Sequence, residues 1–220
     1  MLRSLVDGFR RSAAKRGVVP TLGVGVAKAA DRARWLGRQA RVAAFDLRHG
    51  VETRGYGPAL ELATAPVYEP TTPERFARVV RALRVDPAQF TFLDLGCGKG
   101  LTLLLAARLG FRRVVGVELS PRLAAIARRN VARAGVAAEV VQGDALAYEL
   151  PPEPLVLYLY SAFPEEQMRR LAATVERSLR EHPRPLRIAY LVPKYASALD
   201  ALPLERLAGD PRWIVYASRS

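Results

Sequence analysis

The stretch Asp94-Leu95-Gly96-Cys97-Gly98-Lys99-Gly100 is the part of this sequence best equipped for chemistry. It follows an apolar run over residues 90–95 and precedes a helical pattern over 99–109, so it falls where a strand turns into a helix. Glycines at 96, 98 and 100 let the backbone turn sharply and lie close to a ligand. The helix start beyond them offers free N–H groups. The next apolar run, 113–118, ends in Glu118, a carboxylate that can accept from two ribose hydroxyls. A dinucleotide loop is written G-x-G-x-x-G; here the third glycine comes one place early and Leu101 stands in its position. Asp94 would gain nothing from a pyrophosphate. It suits a ligand that carries an ammonium and a sulfonium. No G-K-[ST] follows four spacers, which excludes a Walker-type phosphate loop.

The elements that must position these residues are legible from residue 71 onward. Thr71 or Thr72 can cap a helix with Pro73 in its first turn, and Glu74 stands three after Thr71 as in a capping box. That helix runs to about Arg84 on Phe76, Val79, Val80 and Leu83. Short apolar runs at 90–95, 113–118, 139–142, 155–160 and 186–192 then alternate with helices at 99–109, 121–134 and 165–180. Such alternation predicts a parallel sheet with helices on both faces. The chain closes differently, with runs at 202–208 and 213–218 around Gly209-Asp210-Pro211, the pattern of an antiparallel hairpin.

Before residue 71 the sequence is of another kind. Leu2, Leu5, Val6 and Phe9 at helical spacing, among Arg3, Arg10, Arg11, Lys15 and Arg16, predict a short basic amphipathic helix over 2–16. A Gly- and Pro-containing break at 20–25 separates it from a second helix over 27–47, and 50–70 reads as an ordered loop. Residues 1–50 therefore form a basic helical extension, and 51–220 one domain with its leading loop and helix.

Charge follows the same division. The 220 residues carry a formal net charge of +13. Residues 1–50 hold 11 Lys/Arg against 3 Asp/Glu, a larger excess than the remaining 170 residues supply. Basic excess fits anionic partners such as nucleic acid, and residues 2–16 could touch an anionic membrane surface. The bland alternative is a solvated helix face in an arginine-rich composition, since only Lys15, Lys28, Lys99 and Lys194 are lysines. No nucleic-acid-binding module is visible. One cysteine, Cys97, excludes an intramolecular disulfide, and His49 and His182 make no ligand pair with it, so no metal site is expected. The absence of a signal peptide or a long apolar span predicts a cytoplasmic protein.

With these motifs in hand, residues 68–218 resemble the class I S-adenosylmethionine (SAM) methyltransferases. The resemblance rests on Asp94–Gly100, on Gly116-Val117-Glu118-Leu119-Ser120-Pro121, on Gly143-Asp144-Ala145, and on Tyr158-Leu159-Tyr160-Ser161-Ala162-Phe163. It implies a Rossmann-like seven-stranded α/β sheet, mostly parallel, whose last strand is inserted antiparallel. By resemblance Asp94, Gly96, Cys97, Gly98 and Gly100 hold the amino-acid part of SAM and Glu118 holds the ribose hydroxyls. Asp144 and the Ala145 backbone then meet the adenine edge, flanked by Leu119 and Leu146, with Tyr160 close by. Cys97 reads as a small loop residue and Lys99 as a solvated cation.

For chemistry at the methyl, Tyr160, Ser161 and Tyr68 are the candidates at the carboxyl edge of the sheet, with Glu69 and His49 behind them. Tyr160 has a packing role as its alternative, and His49 a role at its helix end. The segment Phe45-Asp46-Leu47-Arg48-His49-Gly50-Val51-Glu52-Thr53 with Tyr68-Glu69-Pro70-Thr71 looks like a bacterial subgroup that tends to read Asn-Pro-Phe after the fourth strand. This chain reads Ser161-Ala162-Phe163 there and lacks the Asn/Asp-Pro-Pro-Tyr/Phe signature. The acceptor expected is a protein lysine or a small molecule. The alternatives are a catalytically weakened SAM-binding protein and an NAD(P)-dependent oxidoreductase.

Overall fold

The computed structural model describes residues 18–54, 71–160 and 163–219. Two compact units divide between Arg41 and Val42. The boundary falls inside one helix, α1 (Val18–His49). The predicted break at 20–25 is absent, and the helix starts nine residues before the expected position 27. Pro20 lies in its first turn, where the missing N–H costs no hydrogen bond. The predicted helix over 2–16 lies outside the described residues.

The second unit opens with α2 (Pro73–Leu83), which buries Phe76, Val79, Val80 and Leu83, the stripe read from the sequence. Thr72 caps it and accepts from the Arg75 N–H, so the third residue after the cap is Arg75 and the Thr71–Glu74 box does not form. A single 3₁₀ turn (Pro87–Gln89) delays β1 by one residue, to Thr91–Leu95. Then follow α3 (Leu101–Arg108), β2 (Arg113–Glu118), α4 (Pro121–Ala134), β3 (Glu139–Gln142), β4 (Leu155–Tyr160), α5 (Glu165–Glu181), β5 (Leu186–Leu191), the short α6 (Ser197–Asp200), β6 (Leu204–Asp210) and β7 (Trp213–Ser218). α3 starts two residues late because Gly100 caps it at a φ of 82°. β5 stops one residue early because Val192 turns to a φ of 50°.

The seven strands lie in the order β3-β2-β1-β4-β5-β7-β6, all parallel except β7, which runs antiparallel to β5 and β6. The fold expectation is met: a Rossmann-like, mostly parallel sheet with a terminal antiparallel hairpin. The hairpin turn is Pro211-Arg212, one residue beyond the expected place, with the Asp210 carboxylate accepting from the Arg212 N–H at 2.7 Å.

Burial of both faces explains the continuous apolar runs. Leu93, Leu95, Leu157 and Leu159 point to one face, against Met168, Leu171 and Val175 of α5. Phe92, Val114, Val156 and Tyr158 point to the other, against α2 and against Leu103 and Ala106 of α3. The sheet order reverses between β1 and β4, and an open sheet of this kind binds its ligand in the crevice at the carboxyl ends of the strands there.

Candidate active site

On the α2–α3 face, Asp94 of β1 pairs in register with Gly116 of β2 and with Tyr158 of β4. A Cβ on Gly116 would lie 2.7 Å from the Cys97 Cβ and Sγ and from the Leu103 Cδ1. The bare glycine therefore makes room for the loop after β1 to fold back over β2. That loop is pinned by two bonds from Gly96 and Cys97 N–H to the Val117 carbonyl, at 2.8 and 3.1 Å. Gly96, Gly98 and Gly100 all take positive φ, at 96°, 55° and 82°, a region that disfavours any side chain. Cys97 is buried under the loop, and burial holds its thiol well above the usual range, so it is a packing residue and not a nucleophile.

Two carboxylates face this loop from below. Asp94 is 3% exposed and accepts from the Thr102 hydroxyl in the first turn of α3. Burial pushes its carboxyl up to about 7; the Thr102 bond opposes that shift and the charge of Glu118 adds to it. Glu118 is also buried and also raised by burial, against backbone N–H bonds that favour its charged form. Its two oxygens accept from Gly98 N–H at 2.8 Å and Ser120 N–H at 2.9 Å, which fixes the carboxylate plane. Among the described residues neither acid has an ion-pair partner. Lys99, the cation of the loop, turns to Glu52 at 2.7 Å instead. Two buried acids beside a loop with glycines at 96, 98 and 100 match a small ligand bearing positive charge and hydroxyls.

The third and fourth strand ends contribute less burial. Asp144 is exposed and accepts from the Leu146 N–H at 2.9 Å, while Ala145 is buried behind it. Leu119 is about half exposed, and Leu146 packs on the core cluster of the α5 face. Tyr160 ends β4 half-buried, on the same side as Asp94 and Tyr158, and its hydroxyl accepts from Arg75 of α2 at 3.1 Å.

The chain is similar to known proteins. A family model for a methyltransferase domain matches residues 92–182. A structure of an RNA methyltransferase from Salinibacter ruber in complex with S-adenosyl-L-homocysteine is 26% identical, with a TM-score of 0.51 over 68% of this chain and 92% of that one. Residues 92–182 thus carry a methyltransferase domain. A SAM-dependent O-methyltransferase from Thermotoga maritima shares the fold at a TM-score of 0.54, with 15% identity over 69% of this chain and 67% of that one. Among curated relatives, ribosomal protein L11 methyltransferase of Geobacter metallireducens is 47% identical over 49 residues, 22% of this chain and 16% of the relative. That of Aliivibrio salmonicida is 31% identical over 91 residues, 41% of this chain and 24% of the relative. The matches thus span less than a quarter of these relatives' length.

The donor set fits SAM: an ammonium and a sulfonium complement Asp94, and a ribose diol complements Glu118. The structure brings Asp94, residues 96–100 and Glu118 together at one crevice, with Asp144, Ala145 and Tyr160 at the adjacent strand ends. Tyr68, Glu69 and Ser161 lie outside the described residues. His49 is not brought there: its ring lies against Phe45, with centroids 4.4 Å apart, and next to Arg108 at the far end of α3. Among the described residues no group of three or more His, Cys, Asp or Glu could hold a metal ion, and no helix is long and apolar enough to cross a membrane.

Two site residues escaped the sequence reading. Thr102 was legible in principle, as a hydroxyl in the first helical turn after the loop. Asn130 was not: it stands mid-helix in α4 among arginines, and only its tertiary contacts distinguish it.

Proposed function

We propose that this enzyme transfers the SAM methyl group to a protein amino group, a lysine side chain in the first instance, and that it works in the cytoplasm. The observation that carries the cofactor half is the pair of buried acids, Asp94 and Glu118, under a loop whose three glycines take positive φ. The relatives named for a ribosomal protein support a protein acceptor.

In this reading Asp94 and the 96–100 loop hold the amino-acid end of SAM, with Cys97 as loop packing. Glu118 holds the ribose, and Asp144 with the Ala145 N–H holds the adenine edge beside Leu119. SAM supplies an electrophilic methyl on a sulfonium, and its leaving group is neutral. The chain's own task is to align the acceptor and exclude water. In the same reading Tyr160, whose hydroxyl accepts from Arg75, receives a hydrogen bond from the incoming amine. Tyr68 and Ser161 are proposed alongside it. A strong base is needed only if the amine arrives protonated.

The test uses tritiated SAM, the full chain and a cell extract. Label that survives nuclease and is lost on protease supports the proposal. Label in nucleic acid or in small molecules refutes the acceptor. Calorimetry with SAM tests the cofactor site separately: Glu118→Ala should weaken binding by at least about tenfold, the loss of one to two buried hydrogen bonds to a charged group. Wild-type affinity in that variant would mean the ribose lies elsewhere.

A further inference from the structure

We infer that residues 51–54 form a built wall of the cofactor site, and that Asn130 is the positioning residue that locks this segment to the glycine loop. The inference rests on the reading that SAM lies on residues 96–100. Asn130 is 1% exposed, and its carboxamide is satisfied by backbone atoms of two distant segments. Its Oδ1 accepts from the Glu52 N–H at 2.9 Å. Its Nδ2 donates to the Glu52 carbonyl and to the Lys99 carbonyl, each at 2.9 Å. Asn130 thus treats residue 52 as a strand treats its neighbour, and it clasps the peptide between Lys99 and Gly100 with its remaining N–H.

That peptide lies between the Cα atoms of Lys99 and Gly100, with Gly98 at φ 55° before it and Gly100 at φ 82°, and its N–H donates to the Cys97 carbonyl at 2.9 Å. Fixing its carbonyl fixes the plane on which a ligand must lie. A second tie runs from the other side: Lys99 Nζ donates to Glu52 Oε1 at 2.7 Å and to the Arg54 carbonyl at 3.0 Å. This bond holds the Glu52 carboxyl below its usual range. The wall is anchored in turn by Asp46, near the end of α1. Its carboxylate accepts from the N–H of Thr53 at 2.9 Å, from the Thr53 hydroxyl at 2.5 Å and from the Arg54 N–H at 2.9 Å. Lys99 is therefore neither a solvated cation nor a ligand for the cofactor, but a strut.

Only asparagine suits position 130. Aspartate keeps the acceptor, loses both donors and sets a charge against two carbonyls. Alanine leaves three partly buried backbone groups without this partner. Because these groups belong to the loop and the wall and not to the sheet, their loss should loosen the site more than the fold.

The experiment measures SAM binding by calorimetry and amide hydrogen exchange by segment, on the full chain. The variants are Asn130→Asp, Asn130→Ala, Lys99→Met and Glu118→Ala. The SAM Kd should rise about tenfold in the Asn130 variants and about threefold in Lys99→Met. Exchange should quicken in residues 51–54 and 96–100 together, while β4 stays protected. The Lys99→Met/Asn130→Ala double variant should lose less than the product of the two effects, since both act through one contact. A Kd within twofold of wild type in the folded variants, or faster exchange in 51–54 alone, overturns the inference. If the Asn130 variants do not fold, Lys99→Met decides the matter, because it touches the same contact from its outer side. Glu118→Ala separates the two readings. Weakened binding there with unchanged binding in the other variants refutes the wall, whereas unchanged binding in all of them refutes the placement of SAM.

Discussion

Asp94 combines two demands that conflict in the free protein. Its carboxyl, at about 7, is protonated in the folded state over a range where the unfolded chain, near 3.8, has already ionised. Folding therefore takes up a proton between roughly pH 4 and 7, and the contribution of Asp94 to stability falls as pH rises through that window. A cationic ligand has the opposite interest, because it pairs with the ionised form. SAM affinity should accordingly rise between pH 6 and 8, and Asp94→Asn should weaken binding and flatten that rise. The same variant should melt higher than wild type at pH 8 without ligand. Calorimetry and thermal melts across this range check both. Gly116 poses the steric counterpart. Gly116→Ala sets a methyl 2.7 Å from Cys97 and Leu103, and overpacking of this kind costs about 1–3 kcal/mol. Urea unfolding should show that loss, and SAM binding should fall with it because Cys97 cannot move without the loop.

At the scale of elements, the ends carry the information. β5 stops where Val192 takes a φ of 50°, a conformation that a β-branched residue before proline resists twice over. Its N–H donates to the Arg212 carbonyl in the hairpin turn at 2.8 Å, and its side chain is exposed, so little packing is recovered. Val192→Gly should therefore stabilise the domain by about 1 kcal/mol, read as a higher urea midpoint at unchanged slope. A lower midpoint would mean that the valine side chain is held by contacts worth more than the strain. The other ends follow local rules: Thr72 and Ser120 cap α2 and α4 through their hydroxyls, and Arg84 and Gly135 close the same helices in the left-handed region. The capping box expected at Thr71–Glu74 failed by one residue, since Pro73 admits either threonine as cap and only the packing of Phe76 and Val79 selects the register.

For the whole molecule, the boundary between Arg41 and Val42 places Asp46 and residues 51–54 with the sheet and leaves residues 1–41 in a unit of their own. A chain beginning at Val42 should bind SAM with the affinity of the full chain, measured by calorimetry. A drop of more than about threefold would show that the basic segment contributes to the cofactor site. Much of this protein was legible in its amino acids. Alternation of apolar runs with helical periods dictates a parallel sheet buried on both faces, and glycines at 96, 98 and 100 after an acid mark the strand end proposed to hold the ligand. These are local properties, set by side-chain period and by backbone sterics within a few residues. What the tertiary structure decided is long-range. Asn130 reaches Glu52 across 78 residues, and Lys99 reaches it across 47. Gly116 is required by a cysteine nineteen positions earlier, and the value of Asp94 is set by burial beside Glu118. Hydrogen-bond geometry and desolvation depend on which atoms meet once the chain has closed on itself, and no spacing along the sequence encodes that meeting.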